Sequence, residues 1–110
     1  MLMSDVRFAL GDQYFVYDAE KGAINRKKHG LDFEIAAYVF LDNLRLDFED
    51  DKHSTLDEER WITIGLVKDI LTVVYCERPE DGKNYCRLIS ARQATPAERR
   101  LYNDAVFGRM

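Results

Sequence analysis

The spacing of apolar residues in the first part of the chain predicts one short strand and two helices. Residues 14–18, YFVYD, form an aromatic-rich run that is typical of a strand. Asp18 is suited to N-cap a helix over residues 19–29, and Gly30 can adopt the left-handed conformation that ends it. Asp32 is expected to cap a second helix, whose apolar positions recur at helical spacing: Phe33, Ala36, Ala37, Phe40 and Leu41.

From Leu44 onward the pattern changes to an alternation with a period of two, which favours strands. Four runs are interpreted as strands: LRLDF at 44–48, RWITIGLV at 60–67, ILTVVYCER at 70–78 and NYCRLISAR at 84–92. The turn-forming residues PEDGK lie between the last two runs, so these two strands are expected to form a hairpin.

The last part of the chain predicts a third helix with a strong start signal. Thr95 is suited to the N-cap, Pro96 to the first helical position, and Glu98 to closing a capping box. At helical spacing, three small or apolar side chains can face the sheet: Ala97, Leu101 and Ala105.

The predicted order of elements indicates a single α+β domain over residues 1–110. In this two-layer fold, the two N-terminal helices and the C-terminal helix pack on one face of a small antiparallel sheet. The other face is left partly open to solvent or to a partner. Residues 1–13 show no clean period and are expected to be an N-terminal extension.

Composition narrows the class of protein. With 46% apolar and 33% charged residues, the chain is typical of a folded protein and not of a disordered one. No segment has the apolar length of a membrane span, and the N-terminus lacks a signal-peptide pattern, so we expect a cytoplasmic protein. Cys76 and Cys86 are expected to be reduced and buried, although a bridge across the hairpin is left open.

Charge is unevenly distributed along a chain whose formal net charge is −4. Residues 42–59 carry two basic and eight acidic side chains, whereas residues 60–110 carry nine basic and six acidic ones. Exposed charges more than about 8 to 10 Å apart are largely screened from each other. A local cationic surface can therefore attract phosphate despite the acidic total.

The first predicted helix ends in a basic run, INRKKHG at 24–30. Helical geometry places four polar groups on one face, which could bind a phosphate: Lys21, Asn25, Lys28 and His29. Positive charge in the last turn is also favoured by the helix dipole. Helix capping is therefore the preferred explanation when this run is considered alone.

Four arginines lie on the predicted strands: Arg60, Arg78, Arg87 and Arg92. Such residues are often solvated edge positions, but together with Trp61 and nearby tyrosines they could form a cationic surface on which bases stack. A turn centred between Asp81 and Gly82 would place Arg78 and Arg87 on one face of the hairpin. It would place Glu77, Ser90 and Arg92 on the other face.

The acidic run DFEDDKHSTLDEER at 47–60 contains His53 and resembles a hard-metal site in composition. It lacks the ligand spacing of a known metal-binding loop. A solvated, charge-rich connection is the preferred interpretation, and no metal site or cofactor is predicted.

Four stretches together resemble the BrnT family over most of residues 15–102: FVYDAEKGAINRKKHGLDFEIAAYVF, HSTLDEERWITIGL, LTVVYCER and RLISARQATPAERRLY. The resemblance implies a RelE-like α+β fold and the activity of a small endoribonuclease. It also implies a toxin of a type II toxin–antitoxin system, which inhibits translation by cleaving RNA and is neutralised by a cognate, BrnA-like antitoxin. DNA would be contacted only through the antitoxin.

RelE-like enzymes cut RNA without metal by attack of a 2′-hydroxyl on the adjacent phosphate, which needs proton transfer and cations for the developing charge. Among the residues of this chain, we expect the phosphate ligands to be drawn from Arg60, Arg78, Arg87, Arg92 and Lys28, with His29 or Glu77 for proton transfer. Further RNA contacts are expected from Lys21, Asn25, Lys28 and Trp61. The alternative is a non-catalytic binding module that acts with a DNA-binding partner in transcriptional autoregulation.

Overall fold

The computed structural model of the protein describes residues 4–108, which form a six-stranded sheet with helices on both of its faces. The strands are β1 (Asp5–Leu10), β2 (Gln13–Asp18), β3 (Leu46–Glu49), β4 (Arg60–Leu66), β5 (Ile70–Glu80) and β6 (Lys83–Gln93). The helices are α1 (Ala19–His29), α2 (Phe33–Ala36), a 3₁₀ helix (Ala37–Leu41) and α3 (Pro96–Phe107). The α+β class is thus confirmed.

The sheet is mixed, and its strand order is β1-β2-β6-β5-β4-β3. All neighbours are antiparallel except β2 and β6, which run parallel from Tyr14 opposite Tyr85 to Val16 opposite Arg87. The prediction of a small antiparallel sheet was therefore wrong in this pair. A hairpin comes before the first helix, so the predicted arrangement with two helices at the start is not found.

Part of the expected N-terminal extension over residues 1–13 forms a strand of the sheet, because β1 pairs with β2 along its whole length. The alternating residues Val6, Phe8 and Leu10 pack against the core, and the ring of Phe8 stacks 5.1 Å from that of Phe15. Ala9 interrupts the apolar alternation in the sequence, which hid the period of two. Residues 1–3 of the predicted extension lie outside the described part of the chain.

The two faces of the sheet differ in what covers them. We call core face the one that carries Phe15, Val73 and Leu88, because these side chains pack under α2 and the 3₁₀ helix. We call open face the one that carries Arg60, Cys76 and Arg87, which lie opposite one another in the register. The open face is the one on which the candidate site lies.

Both predicted end signals of α1 are confirmed. The carboxylate of Asp18 accepts hydrogen bonds from the N–H groups of Glu20 and Lys21, and Gly30 adopts φ 71°. The second helix begins after Asp32 as predicted, but the Asp32 side chain makes no capping hydrogen bond, because its carboxylate accepts from Nε of Arg26 instead. The helix changes to 3₁₀ geometry after Ala36. The tighter winding rotates the buried stripe, so Val39 is fully buried and Leu41 is exposed, contrary to the prediction.

Helix α3 has the predicted capping box, formed by Thr95 and Glu98, but packs with a different side against the sheet. Tyr102 and Val106 join Ile64 and Ile70 in a second apolar cluster, whereas Ala97, Leu101 and Ala105 are exposed. Ile64 lies on the open face, so α3 covers one end of that face. The prediction that all three helices share one side of the sheet was therefore wrong.

Candidate functional site

The hairpin of β5 and β6 has the predicted turn but carries a β-bulge that changes which side chains share a face. Asp81 and Gly82 both adopt positive φ, and Glu80 pairs with Lys83. Further along, Tyr75 pairs with Leu88 while Val74 pairs with Ser90, which leaves Ile89 unpaired. The extra residue moves Ser90 and Arg92 to the face of Arg78 and Arg87, away from Glu77. The predicted assignment of Ser90 and Arg92 to the other face was wrong for this reason.

Three of the four candidate arginines converge on the open face. Arg60 and Arg87 lie directly opposite Cys76 on its two neighbouring strands, and Arg78 follows Cys76 by two residues on β5. Two strand spacings separate Arg60 from Arg87, about 10 Å between their backbones. We call Arg60, Arg78 and Arg87 the arginine cluster.

Most of these guanidinium groups are held by carboxylates of the same chain. The Nε atom of Arg60 lies 2.9 Å from a carboxylate oxygen of Glu58. In Arg78, Nη2 lies 3.4 Å from a carboxylate oxygen of Asp5, and Nε lies 3.4 Å from one of Glu80. Arg87 makes no ion pair with any residue between 4 and 108. Arg87 is therefore the member of the cluster with the least internal compensation of its charge.

The pKa of the Cys76 thiol is affected by the charged side chains around it. Burial is the main cause that raises the pKa of its thiol, and Glu58 adds to it, whereas Arg87, Arg60 and Arg78 oppose the increase. Cys76 and Cys86 are both buried and free, as expected, and the bridge left open by the sequence is not formed. Cys86 pairs with Glu77 in the register and lies on the core face.

A pocket of about 490 Å³ adjoins the arginine cluster where β5 extends beyond the end of β4. Arg78 and Arg87 line it, together with acidic residues of the connection between β3 and β4. Trp61 and Glu77 also line this pocket, although the register places both on the core side of the sheet. These two predicted site residues therefore contribute to the rim of the pocket and not to the open face.

A second pocket, of about 420 Å³, lies on the open face beyond Arg60. Its lining includes Ser90, Arg92 and two residues of the acidic connection, Asp50 and His53. The Nδ1 atom of His53 lies 2.9 Å from a carboxylate oxygen of Asp50. Sequence reasoning considered this stretch only as a metal loop or a solvated connection, and the D-x-x-H spacing was its one available signal.

Arg92 occupies the same pocket but is bound tightly within the fold. Its guanidinium donates hydrogen bonds to both carboxylate oxygens of Glu98, at 2.7 and 3.1 Å. Glu98 belongs to the capping box of α3, so Arg92 connects β6 to that helix. The geometry thus gives Arg92 a structural use that Arg87 does not have.

The basic face of α1 borders this second pocket. A smaller pocket of about 220 Å³ is lined by Lys21, Lys28 and His29, and it shares Ile89 and Ser90 with the second pocket. The bulge residue Ile89 therefore joins the surface of α1 to that of the open face. All four α1 residues predicted from the sequence line this pocket.

Asn25, the fourth of these residues, is used by the fold. It is 6% exposed, and its amide exchanges two hydrogen bonds with the backbone of Ala91, each 3.0 Å long. It also donates to the carbonyl of Leu31. Because β2 leaves β6 after Arg87, Asn25 satisfies the backbone groups at the strand edge, and its amide is not available to RNA.

Within residues 4–108, no group of three or more His, Cys, Asp or Glu side chains is arranged to hold a metal ion. None of the helices in that range is both long and apolar enough to cross a bilayer.

A family model described as a ribonuclease toxin, BrnT, of type II toxin–antitoxin systems matches residues 17–98. The matched range includes the arginine cluster, the basic face of α1 and the Asp50–His53 pair. No curated protein matches the chain.

Proposed function

The chain belongs to the BrnT family of ribonuclease toxins of type II toxin–antitoxin systems, and from this premise we propose that its open face binds and cleaves RNA without a metal ion. The observation that carries the proposal is the convergence of Arg60, Arg78 and Arg87 around Cys76. Guanidinium groups bind phosphate through paired hydrogen bonds and keep their charge at every physiological pH. They are thus suited to stabilise the phosphorane that forms when a 2′-hydroxyl attacks phosphorus.

The route of the RNA strand follows from the pockets that border one another. Lys21 and Lys28 of α1 provide further phosphate contacts, and Ile89 and Ser90 link them to the open face. His29, which lines the same small pocket, remains a candidate for proton transfer, as expected from the sequence. Glu77 is less suited to this role because its strand position directs it to the core side.

Arg87 is proposed as the principal phosphate ligand of the cluster. Arg60 and Arg78 also hold carboxylates of their own chain, so part of their charge is compensated before RNA binds. One buried guanidinium nitrogen of Arg78, Nη1, has no hydrogen-bond partner among residues 4–108 and remains able to donate. Arg92 is held by Glu98 and would act mainly through the fold.

The family implies an antitoxin partner, and we propose that a BrnA-like antitoxin neutralises the toxin by covering the open face. An acidic segment would complement the cationic residues that otherwise bind RNA. The toxin would then reach DNA only through the antitoxin, and its release in the cytoplasm would inhibit translation through RNA cleavage.

Substitution of Arg87 by alanine tests the enzymatic proposal. The purified wild-type protein should cleave labelled RNA in excess EDTA and leave 2′,3′-cyclic phosphate ends. The R87A variant should lose at least about 100-fold in rate, because one electrostatic contact to the developing charge is removed. Arg100 is an exposed arginine on α3 and provides the matched control, since R100A should cleave like the wild type.

Two results would contradict the proposal. Loss of wild-type cleavage in EDTA that Mg²⁺ restores would show a metal requirement. Unchanged cleavage by R60A, R78A and R87A would remove the site assignment. The second candidate function is a non-catalytic binding module, and the ion pairs of Arg60 with Glu58 and of Arg78 with Asp5 favour it. In that case R87A should weaken antitoxin binding, while RNA should stay intact with every variant.

A further inference from the structure

Asp50 and His53 form a carboxylate–imidazole pair beside the open face. The Nδ1 atom of His53 lies 2.9 Å from Oδ2 and 3.2 Å from Oδ1 of Asp50. A carboxylate only accepts hydrogen bonds, so Nδ1 donates, and in the neutral imidazole Nε2 then carries a free lone pair. The Asp50 side chain is 10% exposed and that of His53 is 64% exposed, so the pair has a buried anchor and an accessible base.

The surrounding connection fixes Asp50 relative to the sheet. The N–H of Asp50 donates to the carbonyl of Arg60 at 2.7 Å, and its own carbonyl accepts from the hydroxyl of Ser54 at 2.7 Å. Ser54 in turn accepts from the N–H of Arg60 at 2.9 Å. The backbone that carries the pair is therefore tied to the strand residue Arg60, a member of the arginine cluster.

The second pocket places charged groups of both signs near the imidazole. Asp50, Lys52, Arg60 and Arg92 line this pocket together with His53. Glu98 holds Arg92 and Glu58 holds Arg60, so the cations that face His53 are partly compensated. Because Arg60 and His53 line the same pocket, a scissile phosphate bound by Arg60 would lie on the same side of the sheet as the imidazole.

No other titratable group in the described chain combines these properties. His29 lines the neighbouring pocket but has no hydrogen-bond partner among residues 4–108 that would orient its ring. Glu77 lies on the core side of β5. An imidazole whose second nitrogen is held by a carboxylate is the arrangement that fixes the tautomer needed for proton abstraction.

We infer that His53 is the general base of RNA cleavage and that Asp50 is its positioning residue. The Nε2 atom of His53 takes the proton of the 2′-hydroxyl, the 2′-oxygen forms a bond to phosphorus, and the bond between phosphorus and the 5′-oxygen breaks. The 5′-oxygen takes a proton from water, and the resulting hydroxide is neutralised by the imidazolium. This inference rests on the proposed function, because it assigns a residue to the same reaction.

Substitution of His53 by alanine tests the role of the base. Cleavage should fall by at least about 100-fold, the contribution expected of a general base. Binding of an RNA with a 2′-deoxy group at the cleavage position should be unchanged, because the phosphate ligands remain. Added imidazole should restore part of the cleavage rate of H53A, which a purely structural effect would not allow. Leu56 lies in the same connection and is fully exposed, so L56A is the matched control.

Substitution of Asp50 by asparagine tests the positioning role. The D50N variant should cleave more slowly than the wild type at unchanged RNA affinity, and D50E should recover part of the rate. H53Q provides a second variant if H53A unfolds, since glutamine keeps a polar side chain at this exposed position. Wild-type rates in H53A and H53Q would overturn the inference and leave the proposed function intact. A wild-type protein that leaves RNA intact would overturn the proposed function itself.

Discussion

The guanidinium of Arg92 and the carboxylate of Glu98 form a bidentate ion pair that joins the last strand to the last helix. Its two hydrogen bonds measure 2.7 and 3.1 Å, and the Glu98 side chain is 18% exposed. The same carboxylate accepts from the N–H of Thr95 and from the hydroxyl of Thr72. A single acidic side chain thus stabilises the helix start, the strand and an arginine on the open face.

Glu98 should make the stability of the protein depend on acidic pH. Burial alone would raise the pKa of Glu98, but hydrogen bonds from Arg92, Thr95 and Thr72 hold that pKa down to about 2. Since the pKa is lower in the folded than in the unfolded state, the stabilisation is present above the unfolded value. It is lost as the pH falls through the folded value. Urea unfolding should therefore show a falling free energy of unfolding between about pH 4.5 and 2.

The variant E98Q separates this contribution from those of other carboxylates. The free energy of unfolding at neutral pH should be lower in E98Q by about 2 kcal/mol, the range of a hydrogen bond to a charged group. Its decrease toward pH 2 should also be shallower than in the wild type. Parallel curves for the two proteins would show that Glu98 is not the titrating group.

The structural features that could be predicted from the sequence are local ones. Asp18 begins helix α1 and Gly30 ends it, each through the local conformation and hydrogen bonds of a single residue. Asp81 and Gly82 specify a tight turn in the same local way. The capping box of α3 is likewise contained within four residues. Each of these predictions was confirmed because no distant part of the chain decides it.

The features that sequence reasoning missed depend on contacts between distant residues. The bulge at Ile89 sets the face of Arg92, yet no residue near Ile89 marks it in the sequence. The parallel pairing of β2 with β6 joins strands that are far apart in the chain. Asp50 and His53 are close in sequence, but only the folded connection shows that their side chains meet beside Arg60.

Asn25 should be important for stability. Substitution by alanine would leave the N–H and the carbonyl of Ala91 without partners in a buried position. The expected loss is about 1 to 3 kcal/mol in the free energy of unfolding, the cost of unsatisfied buried polar groups. Asn103 is exposed on α3, so N103A should unfold like the wild type. Equal urea midpoints for N25A and N103A would contradict this role of Asn25.

Replacement of Gly22 by alanine, the smallest change that adds a side chain, should destabilise the protein. A Cβ atom at this position would lie 2.7 Å from Cε2 of Tyr17, closer than van der Waals contact allows. Overpacking of this kind costs about 1 to 3 kcal/mol, which should exceed the gain of about 1 kcal/mol from replacing glycine by alanine in a helix. G22A should therefore lower the thermal midpoint.

The ring of Tyr17 provides the test of this cause. In a Y17L background the ring atoms that meet the added Cβ are absent, so alanine at position 22 should no longer destabilise the protein. The double-variant cycle should give a favourable coupling free energy between the two substitutions. Additive effects of G22A and Y17L would assign the loss to another contact.

Arg87 should set the salt dependence of RNA binding. It lies within the arginine cluster and makes no ion pair with residues 4–108, so its charge is available to a phosphate. Each phosphate neutralised on single-stranded RNA contributes about 0.7 to the slope of log affinity against log salt concentration. With a non-cleavable RNA, R87A should reduce that slope by about this amount, whereas R100A should leave it unchanged.

Removal of Arg92 should change the slope less than removal of Arg87, because Glu98 already compensates its charge. If R87A and R100A show the same slope as the wild type, phosphate does not bind at the cluster, and the RNA path across the open face has to be rejected.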